Sequence, residues 1–320
     1  MPGPIARIEP NRAEKRKAIE MSYTVEKVAS ENAIVGEGPV WNTARQILHW
    51  TDIQGGKFWE FDPVTGINTQ MHDGDFVAGV GVNAPGGLAV GTWEGVKLWR
   101  SDDDWVWLHQ GDVEGRSIKL NDVTTGPDGS LIGGTGHLDS CALMRFKPDG
   151  TAEILDDGLG LCNGMGFSPD LSTFYSTDSV ERVIYQWDHS PTSGELSNRR
   201  DFTRIDSSLG IPDGMTVDAE GFVWSAVWYG GVVIRFDPDG KEERRVEIPA
   251  AQTSSAMFGG KDLNELYVTT ASFGSDGTKS GMEPEGFDMS TYRGGDLFRV
   301  KLDIQGKPEF QTQFKWPAST

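Results

Sequence analysis

The chain has 320 residues, with 29 Lys plus Arg against 48 Asp plus Glu for a net charge of −19, and it carries 41 glycines, 11 tryptophans and two cysteines. That balance excludes nucleic acid and an anionic membrane surface as partners, and no apolar stretch is long enough for a membrane span. Length alone permits two domains, but all-β closed folds of this size form one unit, and richness in glycine and tryptophan suits tight hairpins and packed sheets better than helices.

Residues 1–20 are basic but lack the apolar central region of a signal peptide, so 1–21 read as a flexible N-terminal extension and 22–320 as one folded unit. Val25 and its neighbours form a strand-like run, expected to pair with the C-terminal EFQTQF (309–314) and so close a ring.

From residue 37 onward one unit recurs six times: EGPVW…ILHWTDI, AGVGV…LAVGTW, LNDVTTG…LIGGTG, CNGMGFS…FYSTDS, PDGMTVD…FVWSAVW and SSAMFGG…LYVTTAS. Each begins with a polar or glycine-rich strand and follows it with an apolar one. With Glu37, Ala78, Asn121, Asn163, Asp213 and Ser255 as equivalent positions, the steps are 41, 43, 42, 50 and 42 residues. A period in the forties built from short strands predicts an all-β, six-bladed β-propeller, one four-stranded blade per repeat. Third strands ending in turns follow at GKFWEFDPVTG, ALMRFKPDG and GVVIRFDPDG; proline fixes φ there and glycine accepts a positive φ.

If the first strand of each blade lines the channel, its equivalent starts form a ring at one mouth. Four of the six ring positions then carry an acid or amide: Glu37, Asn121, Asn163 and Asp213. Carboxylate and amide oxygens are the donors a hard divalent cation takes, and facing carboxylates would repel one another without a counter-ion. Calcium is the expected ion, with zinc, manganese and ferrous iron left open. The second strands return to the same mouth, so the loops holding Asp52, 136–140, Asp178, Trp228 with Tyr229, and 273–295 crowd it, the last long enough to serve as a lid. Asp52 and Asp178 read equally well as strand-end caps for backbone donors.

Other signals carry less. GVGVNAPGG (79–87) has the wrong spacing for a nucleotide loop, there is no G-x-S-x-G elbow or H-E-x-x-H pair, and His49, His72, His109 and His189 are scattered. Cys141 and Cys162 lack metal-site spacing and need not pair, so a reducing, cytoplasmic location is expected.

The segments EGPVW (37–41), LND with GPDG (120–129), NGMGFSPD (163–170), IPDGMTVDAEGFVWSA (211–226) and FGGKDLNELYVTTA (258–271) together resemble the senescence marker protein, regucalcin and gluconolactonase family. The resemblance spans residues 22–303. It implies a six-bladed propeller with one divalent metal held by Glu37, Asn163 and Asp213, an Asn121 that contacts substrate or completes the metal shell, and hydrolysis of sugar lactones to aldonic acids. Where the family carries an arginine that binds sugar, this chain has Lys119, a point charge rather than a two-pronged donor. Lys119, His137 and Asp139 complete the expected substrate contacts, and Asp213 is the expected general base. An organophosphate or other ester hydrolase on the same cation, and a non-catalytic calcium-binding propeller, are the alternatives. The absence of Gly-His and Trp-Asp repeats argues against a protein-binding propeller.

Overall fold

Hairpin after hairpin, the chain lays down four-stranded antiparallel sheets, six in all among the described residues, with a two-stranded ribbon at 112–117. The structure is a computed structural model that describes residues 23–136 and 140–317. The expected extension at 1–21 and the expected contacts His137 and Asp139 lie outside the described residues. Within them there is no helix, and none long and apolar enough to cross a membrane.

The innermost strands are Gly36–Asn42, Val77–Val82, Leu120–Thr125, Cys162–Phe167, Ile211–Val217 and Thr253–Gly259, and we number the blades 1 to 6 in that order. Each packs against the next, and the sixth returns to the first, so the sheets form a closed six-bladed β-propeller. Closure leaves no inner edge exposed.

Apolar side chains fill the wedges between blades. Phe58 of blade 1, for example, packs on Val77, Val80, Val90 and Trp99 of blade 2, and Trp50 stacks on Trp59 at 4.4 Å. Burying each of these side chains contributes roughly 1.5–3 kcal/mol.

The ring closes with the N-terminal strand Val25–Ser30, but its partner is Asp296–Lys301 of blade 6 and not the C-terminal EFQTQF segment. That tail instead straps the face opposite the ring residues. Gly306 bridges Asp218, Phe310 stands edge-on to Phe167 at 6.1 Å, and Asn83 ties down both Thr312 and Phe314. Lys307, Glu309 and Phe310 thereby form the floor of the channel, below Met165, Met215 and Met257. A segment held by side-chain amides and interrupted by Pro308 is better suited to a strap than to a ladder strand.

The cysteines also depart from the sequence reading, which did not require them to pair. Cys141, at the start of a blade 3 strand, and Cys162, at the start of blade 4's inner strand, form a disulfide across 21 residues of sequence. It staples two blades beside the ring position Asn163.

Candidate active site at the channel mouth

A bulge in every inner strand sets the geometry of the ring. Pairing with the second strand slips by one residue between Glu37 and Val40, Val77 and Gly79, Leu120 and Asp122, Asn163 and Met165, Pro212 and Met215, and Thr253 and Ser255. These slips fall at the positions aligned by the sequence repeat. Strict alternation would send consecutive side chains to opposite faces of a blade; the extra residue re-aims them toward the axis.

Glu37, Asn121, Asn163 and Asp213 accordingly converge on one cavity of about 240 Å³, walled on its apolar side by Ile53, Leu161, Ile211, Trp228, Phe273 and Met282. Close approach of the inner strands makes this possible. A Cβ on Gly164 would sit 2.5 Å from the Asp213 carbonyl, so only glycine fits between the two ring positions.

The amides are fixed by hydrogen bonds. Asn121 Nδ2 donates to Asn163 Oδ1 at 2.7 Å and to the Cys162 carbonyl at 3.1 Å, while Asn163 Nδ2 donates to Ser179 Oγ at 2.9 Å. Ser179 in turn donates to the Pro212 carbonyl at 2.7 Å, tying blade 4 to the residue before Asp213. With both of its N–H groups engaged, Asn121 keeps its oxygen without a hydrogen-bond donor among the described residues.

The carboxylates are buried and strained electrostatically. Burial first, and then the charges of Asp213 and Asp122, push Glu37 well above the usual carboxylate range. Burial and the Asp122 charge do the same to Asp213, although a hydrogen bond from Glu37 lowers it in part. Asp122 is the residue that the sequence reading missed. It lies just below the ring, and burial pushes it up to about 7 against the pull of the Val123 and Gly164 backbone N–H groups. Its adjacency to Asn121 was visible, but alternation would have turned it away from the axis.

No cation contributes to the environment of these three acids among the described residues. Two buried carboxylates facing two amides, uncompensated, are a donor set that a hard divalent ion fits: Glu37 and Asp213 supply charge, and Asn163 a neutral oxygen.

The remaining expected residues lie around the rim. Lys119 holds its ammonium 4.1 Å from the centre of the exposed Trp93 ring, which itself lies on Phe76 at 3.6 Å, and Lys119 does not line the cavity. Asp52 and Asp178 are caps. Asp52 accepts from the backbone of Ile34, Val35 and Gly55, and Asp178 from Gly160, Leu161 and Glu181. From the long 273–295 segment, Phe273, Ser280 and Met282 reach the cavity, and Tyr229 anchors the segment by bonding Ser280 at 2.8 Å and stacking edge-on with Phe287 at 4.8 Å.

A closed six-bladed ring with acids and amides converging at one mouth is the architecture of a small-molecule site on a propeller. The family described as SMP-30/Gluconolactonase/LRE-like region matches residues 35–272, and the chain belongs to it. It is 35% identical over 294 residues to the pentonolactonase XacC of Haloferax volcanii, covering 91% of this chain and 99% of that protein. Regucalcin of Oryctolagus cuniculus is 32% identical over 301 residues, covering 90% and 98% respectively. Among solved structures, a luciferin-regenerating enzyme superposes with a TM-score of 0.82 at 26% identity, covering 92% of this chain and all of that one (100%).

Proposed function

We propose that the protein is a sugar lactonase that opens aldonolactones to aldonic acids at the channel mouth, with one divalent cation, calcium in the first instance, held by Glu37, Asn163 and Asp213. The observation that carries this reading is the pair of buried carboxylates, Glu37 and Asp213, gathered at one cavity, both raised in pKa by burial and the Asp122 charge, and left without a cationic partner among the described residues. Membership of the family and the similarity to a pentonolactonase support the substrate class.

When bound, the cation supplies Lewis-acid polarisation of the carbonyl. The chain's own groups do the rest. Asp213, as carboxylate, takes a proton from the attacking water. The water oxygen bonds to the carbonyl carbon, the ring C–O bond breaks, the ring oxygen leaves as a hydroxyl on the proton that Asp213 returns, and the new acid ionises. Asn121 accepts a substrate hydroxyl through its free oxygen and so orients the ring. Trp228, Phe273 and Met282 exclude bulk water, which strengthens each of these interactions.

The test combines metal analysis with a pH-indicator assay on five- and six-membered aldonolactones, using protein stripped by chelator and then given single metals. Glu37→Ala and Asp213→Ala should each lose the bound cation together with at least about 100-fold of the hydrolysis rate. Proton release that persists without metal, or full hydrolysis by either variant, would refute the assignment.

A further inference from the structure

The Arg293 side chain is 2% exposed, yet no carboxylate pairs with it among the described residues. Its Nε has no partner at all; Nη1 reaches the Phe273 carbonyl only at 3.5 Å, and Nη2 the Met289 sulfur at 3.3 Å. The guanidinium carbon also lies 5.2 Å from the centre of the Phe287 ring. A buried guanidinium with only these contacts lacks the anion that would offset its desolvation.

Its neighbour is in the same condition. Gln252, fully buried at 0% exposure, leaves both side-chain amide atoms unpartnered and is joined to Arg293 by a backbone hydrogen bond of 2.8 Å. Both residues adjoin the cavity wall. Gln252 bridges Trp228, and a Cβ on Gly274 would lie 3.3 Å from Arg293 Nη1, so one layer, Phe273–Gly274, separates the guanidinium from the cavity.

We infer that Arg293 is the anion-recognising residue of this site and that it takes a carboxylate entering beside Phe273 when the 273–295 segment moves aside. The cavity otherwise repels such a group, because Glu37 and Asp213 line it and Asp122 lies just below. Arg293 offers two parallel N–H donors matched to a carboxylate, and exchanging a 3.5 Å carbonyl contact and a thioether for that anion replaces weak partners by a charge-assisted pair. The inference rests on the lactonase reading for where the carboxylate comes from. It belongs either to the aldonate released by ring opening or to a lactone that already bears an acid group at its far end.

The full chain would be compared with Arg293→Met and Arg293→Lys. Added aldonate should raise the thermal midpoint of the unaltered protein, while the neutral parent sugar at equal concentration leaves it unmoved. Aldonate affinity should fall at least about tenfold in Arg293→Met, the scale of one charge-assisted hydrogen bond, and recover partly in Arg293→Lys. If the substrate carries the anion, the ratio of KM for an acid-bearing lactone to that for a neutral one rises about tenfold in Arg293→Met while the kcat ratio holds. Weakened aldonate inhibition alone assigns the anion to the product. Aldonate that shifts both proteins equally, or neither, overturns the inference. The midpoint measurement requires no turnover, so a protein that binds aldonate through Arg293 yet opens no lactone refutes only the proposed activity. Should Arg293→Met fail to fold, the lack of an aldonate response in the unaltered protein would be equally decisive.

Discussion

Asp122→Asn is expected to stabilise the metal-free protein, and by an amount that grows with pH. The Asp122 carboxyl is buried, stands near Glu37 and Asp213, and titrates at about 7 against an ordinary 3.8. A carboxyl whose folded pKa is raised makes its full contribution below its unfolded value and loses it as pH climbs through the folded value, here between about pH 4 and pH 7. The interval corresponds to roughly 4 kcal/mol. Asparagine keeps the acceptor that Val123 N–H uses at 2.7 Å and removes the charge. Urea unfolding of chelator-treated protein and variant at pH 4, 5.5, 7 and 8 reads the effect of Asp122 together with the rise it imposes on Glu37 and Asp213, while titrating groups remote from it cancel in the difference. The variant should match the parent at pH 4 and exceed it by about 2–4 kcal/mol at pH 8. Added calcium should then narrow the gap, since a cation that binds the folded parent favours the ionised acids. A difference that does not vary with pH, or a parent more stable than the variant at pH 8, would refute the picture of mutually opposed buried acids.

Gly164→Ala should cost about 1–3 kcal/mol and weaken cation binding together with hydrolysis, because its methyl would press on the Asp213 carbonyl from 2.5 Å; unfolding and metal titration of the same preparation check both. Cys141→Ser should cost about 2–4 kcal/mol of stability without moving the ring, and a reductant should reproduce the loss in the parent; equal stability of reduced and oxidised protein in urea would remove the disulfide from the account.

What the sequence could disclose was the repeat, because a blade is a local object whose strand starts recur at a fixed spacing. Glu37, Asn121, Asn163 and Asp213 were found by phase alone, and the cavity gathers all four. What escaped was whatever depends on register or on the way distant segments meet. A bulge leaves no mark in composition, so Asp122 seemed to face away from the axis. EFQTQF alternates like a strand, yet Asp296–Lys301 had already supplied the edge that Val25–Ser30 needs. Cys141 and Cys162 are neighbours only because adjacent blades bring an outer and an inner strand start together. Arg293 offered no pattern at all, since its significance lies in the partners it lacks.

The mixture of acids and amides in the ring follows from charge. Four carboxylates at the mouth would confine four negative charges in a buried cavity, more than one divalent ion offsets. On the proposed reading, two carboxylates and two amides would supply the same oxygens with a charge that one such ion cancels, and would leave Asn121 to meet a neutral hydroxyl. Asp122 adds a third buried carboxyl just beneath the ring, one more than such an ion balances, and in the metal-free protein burial raises it to about 7.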